Sequence, residues 1–263
     1  MTVIQTHRDQ AVGWIVFDRP ERRNALRGSD LADLATAVRA LAADPAVRVL
    51  CLRGAGSHFA AGADVDELQS LTSPTAARAH ALLGQTACDA LEQAPVPVIA
   101  AIEGYCVGGG LELAMSCDFR LAAAGAVLGQ VELGIGSIAA WGGMRRLPRL
   151  VGVPEAKRLV YTGRHVDAAY AASVGLVDEV VPDGGAQAAA GFLAAELADR
   201  PREALAASKR ALDQSVDVPL YAGLQQDREM FAALVAGAEF QDGVAAFLAR
   251  SGRGGDRAPA ASR

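Results

Sequence analysis

From Val96 to Glu103 the chain is almost wholly apolar, and five residues later it reaches Gly108-Gly109-Gly110 and then LELAMSC. An apolar run without alternation is the pattern of a strand covered on both faces, which implies a parallel sheet. Three consecutive glycines lose much conformational freedom on folding, so they mark backbone that must approach something closely. Gly104–Gly110 is therefore expected to turn from a buried strand into a helix ending near Asp118. The free N–H groups at such a helix start favour negative charge. Glu112 lies about one turn after Gly109, on the face that such a ligand would occupy. The same residues also describe a Gly-rich helix packed on its neighbour, with Glu112 in solvent.

The flanking sequence agrees with an α/β core. Val12–Phe17 reads as a strand. Ser29 is expected to cap a helix running to Ala43, with Leu31, Leu34, Ala35, Val38 and Leu41 on one face, stopped by Asp44-Pro45. Val47–Leu52 is the next strand, Gly54–Gly62 a loop and Pro74–Gln93 a long helix. Phe119–Ala123 and Ala126–Gly129 are short strands. Beyond Gly142 only helices are expected: Gly143–Leu150, Pro154–Thr162, Asp167–Ser173, Ala186–Ala198, Pro201–Ser215, Val218–Val235 and Ala238–Arg250. This divides the chain into an α/β core over 1–195, a helical region over 196–250 and a polar, flexible tail over 251–263. No internal repeat is visible.

Several function classes drop out. An apolar fraction of 51% with a net charge of −5 excludes general disorder. An acidic pI of about 5.4 without a basic patch argues against nucleic-acid partners. No run reaches the roughly 18 apolar residues of a membrane span. MTVIQTHRDQ carries no apolar signal core, so a cytoplasmic location is expected. Cys51, Cys88, Cys106 and Cys117 lack metal-ligand spacing and read as buried, reduced thiols. His7, His58, His80 and His165 are scattered and read as ordinary surface or loop histidines. Dinucleotide, P-loop, zinc-protease and nucleophile-elbow motifs are all missing.

Two further segments carry chemistry. Ser57–Asp64 is a second loop of small residues between a strand and a helix, with Asp64 placed to cap Val65–Gln69. Two such loops on parallel strands would present backbone N–H donors at one sheet edge, which is how an oxyanion pocket is assembled from main chain. Taken alone, this loop also describes an ordinary strand-to-helix turn. Gly129-Gln130-Val131-Glu132 supplies a second carboxylate among Val131, Leu133 and Ile135, where desolvation raises a carboxyl pKa as a general acid needs. A surface glutamate at a helix start fits the same letters.

Together these stations resemble the enoyl-CoA hydratase/isomerase (crotonase) family from about Trp14 to Arg250. The resemblance rests on Asp18–Leu26, Phe59–Asp64, Pro97–Tyr105 with the glycine triplet, Cys117-Asp118, Gly129–Glu132, Gly142-Gly143 and Arg146-Leu147, in that order. It implies a spiral core of ββα turns and C-terminal helices that form a homotrimer or a dimer of trimers. By position, the N–H groups of Ala63 and Gly109 resemble the pair that holds an acyl-thioester oxygen. Glu112 and Glu132 resemble the two hydratase carboxylates: the first would deprotonate water at the β carbon, the second would protonate the α carbon. Ala61, Asp64 and Val65 with Arg22, Ala25 and Leu26 resemble the crevice for CoA. Phe247 and Arg250 resemble a pair reaching over the CoA of an adjacent subunit.

The implied substrate is an acyl-CoA thioester, with no metal or other cofactor. Both carboxylates are kept, which favours hydration over Δ3,Δ2-enoyl-CoA isomerisation or another family lyase reaction, and over a non-catalytic acyl-CoA binder. Two positions depart from the family pattern. Val131 stands where proline is common, and Ala139-Ala140-Trp141 stands where hydratases commonly read Pro-Gly-Ala. Ala140 keeps the N–H that resembles a water-holding position. Trp141 either lines the acyl pocket or packs away into the helical layer.

Overall fold

The computed structural model describes residues 2–252. Its larger sheet has six strands in the order β1, β2, β3, β4, β6, β9, and a smaller sheet contains β5, β7 and β8. The strands are β1 (Ile4–Asp9), β2 (Val12–Phe17), β3 (Val49–Gly54), β4 (Val98–Ile102), β5 (Tyr105–Val107), β6 (Phe119–Ala123), β7 (Val127–Gly129), β8 (Val166–Asp167) and β9 (Glu179–Val181). Between them lie helices α1 (Gly28–Ala43), α2 (Val65–Ser70), α3 (Pro74–Glu92), α4 (Gly109–Met115), α5 (Gly143–Val151), α6 (Val153–Thr162) and α7 (Ala168–Ser173). Helices α8 (Ala186–Ala198), α9 (Arg202–Gln214), α10 (Leu220–Val235) and α11 (Ala238–Gly252) complete the described chain.

In the larger sheet only β1 pairs antiparallel; β2, β3, β4, β6 and β9 run parallel. The all-apolar β4 is buried on both faces, as its composition demands. Val98, Ala100 and Ile102 face the main core with Leu50 and Leu52 of β3 and Leu31, Leu34 and Val38 of α1. Ile99 and Ala101 face a second core closed by Ala186, Ala190 and Ala194 of α8. Small residues on that helix let it lie close on the sheet.

The spiral of ββα turns is visible in how β2, β3, β4 and β6 are each followed by a second, small-sheet or bridged position and then a helix. β4 leads to β5 and α4, while β6 leads to β7 and then α5. Earlier turns shrink the second strand to isolated bridges: Leu26 with Ala63 after β2, and Ala60 with Cys106 after β3.

Several local expectations are corrected. The N-cap of α1 is Arg27, not Ser29. The Arg27 N–H donates to the Asp30 carboxylate at 2.9 Å and the Gly28 N–H to Glu67 at 2.7 Å, so carboxylates satisfy the helix start two residues earlier. The region after residue 129 is not purely helical, because β8 and β9 complete the two sheets. Arg120 ties β9 in place: its N–H donates to Asp178 at 2.7 Å and its buried guanidinium donates to Leu176 O at 3.0 Å and Cys117 O at 2.8 Å. The strand expected from Val47 begins at Val49, since Val47 N closes a turn on Asp44 O at 3.0 Å. Gly104–Gly110 is more than a turn, for it contains β5. All four cysteines are buried, and none forms a disulfide.

The chain divides into two compact units at Asp199 and Arg200 rather than at 195/196. The reason is that α8, packed on the sheet, runs to Ala198 and belongs wholly to the first unit. In the second unit the Arg202 and Glu203 N–H groups donate to the Glu239 carboxylate at 3.2 and 3.0 Å. Phe231 and Phe240 meet edge to face at 6.3 Å. Leu220, Tyr221, Phe231, Phe247 and Leu248 all remain exposed. No single described helix is long and apolar enough to cross a membrane. The tail expected over 251–263 lies outside the described residues, apart from the two positions that close α11.

Candidate active site

The two strand-to-helix loops meet. Gly62 (φ +92°) ends the first and Gly108 (φ +56°) the second, both in backbone conformations that side-chain-bearing residues rarely adopt. A Cβ on Gly62 would stand 2.8 Å from Gly109 N. Leu26 N donates to Gly62 O and Asp64 N donates to Leu26 O, each at 2.8 Å, which pins the peptides on both sides of Ala63. Among the described residues, neither Ala63 N nor Gly109 N has a hydrogen-bond acceptor. Both residues line one cleft of ≈280 Å³.

Each glycine of the triplet has its own reason. Gly108 takes the positive φ. A Cβ on Gly109 would lie 2.2 Å from the Trp141 ring, and one on Gly110 would lie 2.2 Å from Ala60 O. Close approach, not helix propensity, explains the run.

Glu112 and Glu132 line the same cleft. Glu112, only 2% exposed on α4, accepts from Trp141 N at 2.8 Å and Gly143 N at 2.7 Å on one carboxylate oxygen. The solvated alternative for this residue is thereby excluded. Burial pushes its carboxyl up to about 7, helped by the charge of Glu132 and opposed by those two N–H groups. Glu132 opens a short 3-10 turn, Glu132–Ile135. Its Oε1 accepts from Gln130 Nε2 at 2.8 Å, while its buried Oε2 has no partner among the described residues. Burial also lifts the Glu132 carboxyl above its ordinary value, opposed by its own backbone N–H and then by the Gln130 amide.

The loop residues divide by role. Asp64 caps α2 as expected, accepting from Asp66 N at 2.9 Å, and pairs with Arg19 at 2.5 Å. Burial alone would raise its carboxyl, but Arg19 and the helix N–H groups outweigh that and hold it below the ordinary value. Its charge is thus committed inside the loop. Leu26 is fully buried, so it contributes backbone to the site and its side chain to the core. Ala25 is half-buried, and its carbonyl accepts from Arg19 at 3.3 Å. Arg22 is exposed and pairs with Asp66. Ala61 and the exposed Val65 line the cleft. Asn24, in left-handed backbone, donates to Ala55 O at 3.0 Å and His58 O at 2.7 Å, fastening the first loop.

Ala140 also lines the cleft, and among the described residues its N–H has no acceptor. Gln85 Nε2 donates to its carbonyl at 2.8 Å. Trp141 meets both alternatives: it is buried in the main core and presents a face to the cleft. Phe247 and Arg250 are exposed on α11 of the second unit and are not among the residues lining this cleft.

One histidine departs from expectation. His80 lies inside α3, 8% exposed, and lines the cleft with its Nε2 3.4 Å from Glu67. A half-apolar helix gives no sign of which histidine faces inward. Gln130 was legible only as a neighbour of Glu132; its two-residue offset across a tight turn is the signal that it holds that carboxylate.

A family model for enoyl-CoA hydratase/isomerase matches residues 7–252. The chain belongs to that family. It is 36% identical over 242 residues to a crotonyl-CoA hydratase of Syntrophomonas wolfei, covering 92% of this chain and 93% of that one. The solved enoyl-CoA hydratase of Bacillus anthracis superposes with a TM-score of 0.89 at 34% identity, covering 94% of this chain and 96% of the other. That of Thermoplasma volcanium gives 0.87 at 35% identity, with coverage of 93% and 97%. The family assignment and these neighbours agree with the spiral α/β core and its helical C-terminal region.

Proposed function

We propose that this family member adds water across the double bond of a 2-enoyl-CoA thioester to give the 3-hydroxyacyl-CoA. The observation that carries the reading is one cleft that holds two backbone N–H groups with no acceptor among the described residues, the buried carboxyl of Glu112 and the half-buried carboxyl of Glu132. Attack at C3 pushes the electron pair through C2 onto the thioester oxygen, and Ala63 N and Gly109 N are the donors for that charge. Oxyanion donors of this kind are each worth roughly 3–4 kcal/mol.

The carboxyls divide the proton work. Two N–H groups on one oxygen of Glu112 support its ionised form against the burial that lifts the group to about 7, and at Glu132, although Gln130 donates to Oε1, the buried Oε2 has no donor among the described residues and supports the acid. Glu112 takes a proton from water as the hydroxyl bonds to C3, with the Ala140 N–H supporting that water. Glu132 gives its proton to C2. Exchange of one proton then restores the starting state. CoA enters as part of the substrate, and the chemistry calls for no metal or redox group.

The Ala61–Val65 loop with Arg22 is the proposed CoA crevice. Phe247 and Arg250 are proposed to reach the CoA of an adjacent subunit in a trimer or dimer of trimers. Hydration of crotonyl-CoA, followed by loss of the enoyl-thioester absorbance, tests the reading. Saturable turnover is expected. Conversion of a 3-enoyl-CoA without any hydration would assign the site to isomerisation instead, and binding without either reaction would make it a carrier.

A further inference from the structure

We infer that Trp141 is a rigid wall at the acyl end of this cleft and restricts the enzyme to short acyl groups. The indole is 3% exposed and wedged between two helices. Its five-membered ring lies on Gly84 of α3, where a Cβ would stand 2.2 Å from Cγ and Cδ1. Its six-membered ring lies on Gly109 of α4, where a Cβ would stand 2.2 Å from Cζ3 and 2.6 Å from Cε3. Glycine inside a helix is intrinsically unfavourable, so Gly84 in mid-α3 is a cost that the indole explains.

The backbone beneath the ring is held as firmly. Trp141 N donates to Glu112 at 2.8 Å, and Gln85 donates to the preceding carbonyl at 2.8 Å. One turn before Gly84, the His80 ring stands 6.1 Å from the indole, backed by Glu67. The indole is therefore held against Gly84, Gly109 and His80, with its remaining face on the cleft.

Its position decides what it excludes. The ring touches the residue whose N–H would hold the thioester oxygen, and the backbone N–H of Trp141 holds the carboxylate assigned to water. An acyl chain running on past C3 meets Trp141, His80, Ala77 and Ala81 of the same cleft. A residue this bulky, fixed this close to the reacting carbons, leaves a short tail in van der Waals contact and makes a long one displace packed structure.

The turnover arm of the test rests on the hydratase reading; the binding arm does not. The measurements are kcat/KM for crotonyl-CoA and 2-decenoyl-CoA, and Kd for butyryl-CoA and decanoyl-CoA, which cannot be hydrated. They are made on the wild type, Trp141→Ala and Trp141→Phe, with thermal unfolding to establish folding. The wild type should favour the short member of each pair. Trp141→Ala should raise the long-to-short ratio of kcat/KM by about tenfold or more and lower the long-to-short ratio of Kd by a similar factor, with Trp141→Phe between. If the alanine variant does not fold, the phenylalanine variant decides. Unchanged ratios in a folded variant overturn the wall while leaving hydration intact. Shifted Kd ratios in a protein that hydrates nothing uphold the wall and overturn the hydratase reading.

Discussion

Replacing Glu112 by glutamine should sharply reduce turnover and yet stabilise the protein at alkaline pH. The carboxyl ordinarily titrates near 4.5 and is pushed to about 7 by burial. The unfolded chain therefore ionises this group at lower pH than the folded chain does. Stability is unaffected below about 4.5, is lost as pH rises towards about 7, and stays lost above it. At 1.36 kcal/mol for each pH unit between the two values, the full loss is about 3 kcal/mol. Glutamine cannot ionise, and its amide oxygen can still accept from Trp141 N and Gly143 N. Its new N–H₂ group would cost roughly 1–3 kcal/mol if left without an acceptor. The candidate acceptor is the buried Oε1 of Gln130, which has no donor among the described residues and, like Glu112 Cγ, packs 3.1 Å from the point where a Gly143 Cβ would stand; the predicted gain requires that it take up the new N–H₂ group. Melting curves from pH 4.5 to pH 9 should show no gain for the variant at the acid end. The gain should grow to a plateau of at least about 3 °C above neutrality. Crotonyl-CoA hydration should fall by at least about 10²-fold. A melting-temperature difference that does not grow with pH would refute the burial argument, and undiminished turnover would remove Glu112 from the mechanism.

Glu132→Gln should also cut hydration by at least about 10²-fold, while calorimetry shows butyryl-CoA binding retained; wild-type turnover would dismiss Glu132 as the acid. Gly62→Ala places a methyl 2.8 Å from Gly109 N at a φ of +92°, so the donor pair must move apart. Turnover should fall by about 10²-fold, with the circular-dichroism spectrum kept, and a fully active folded variant would argue against these amides as donors. Light scattering should find a trimer or hexamer, since Leu220, Tyr221, Phe231, Phe247 and Leu248 are apolar and exposed in the second unit. A monodisperse monomer at micromolar concentration would also end the role proposed for Phe247 and Arg250 across a subunit boundary.

What the residues alone determined was local. The buried β4, the glycine triplet that opens α4, the Asp64 cap on α2 and the candidacy of Glu112 and Glu132 follow from apolar runs, cap chemistry and turn composition. All of these act within a few positions of the chain. The edge strand β1 went unread because five of its six residues face solvent, and only pairing with β2 makes it a strand. β8, two residues long, carries no period to read. The cap of α1 moved because the acceptor for Gly28 N is Glu67, 39 positions away. The spiral repeat is hidden in sequence because two of its turns reduce the second strand to single bridged residues, leaving no recurring pattern. Which histidine faces the cleft, which oxygen of Glu112 receives two N–H groups, and that Gly84 exists to admit an indole are matters of approach between α3, α4 and the 139–143 segment. Such contacts are decided by packing in three dimensions, where residues distant in the chain compete for the same few ångströms, and no window along the sequence contains both sides of that competition.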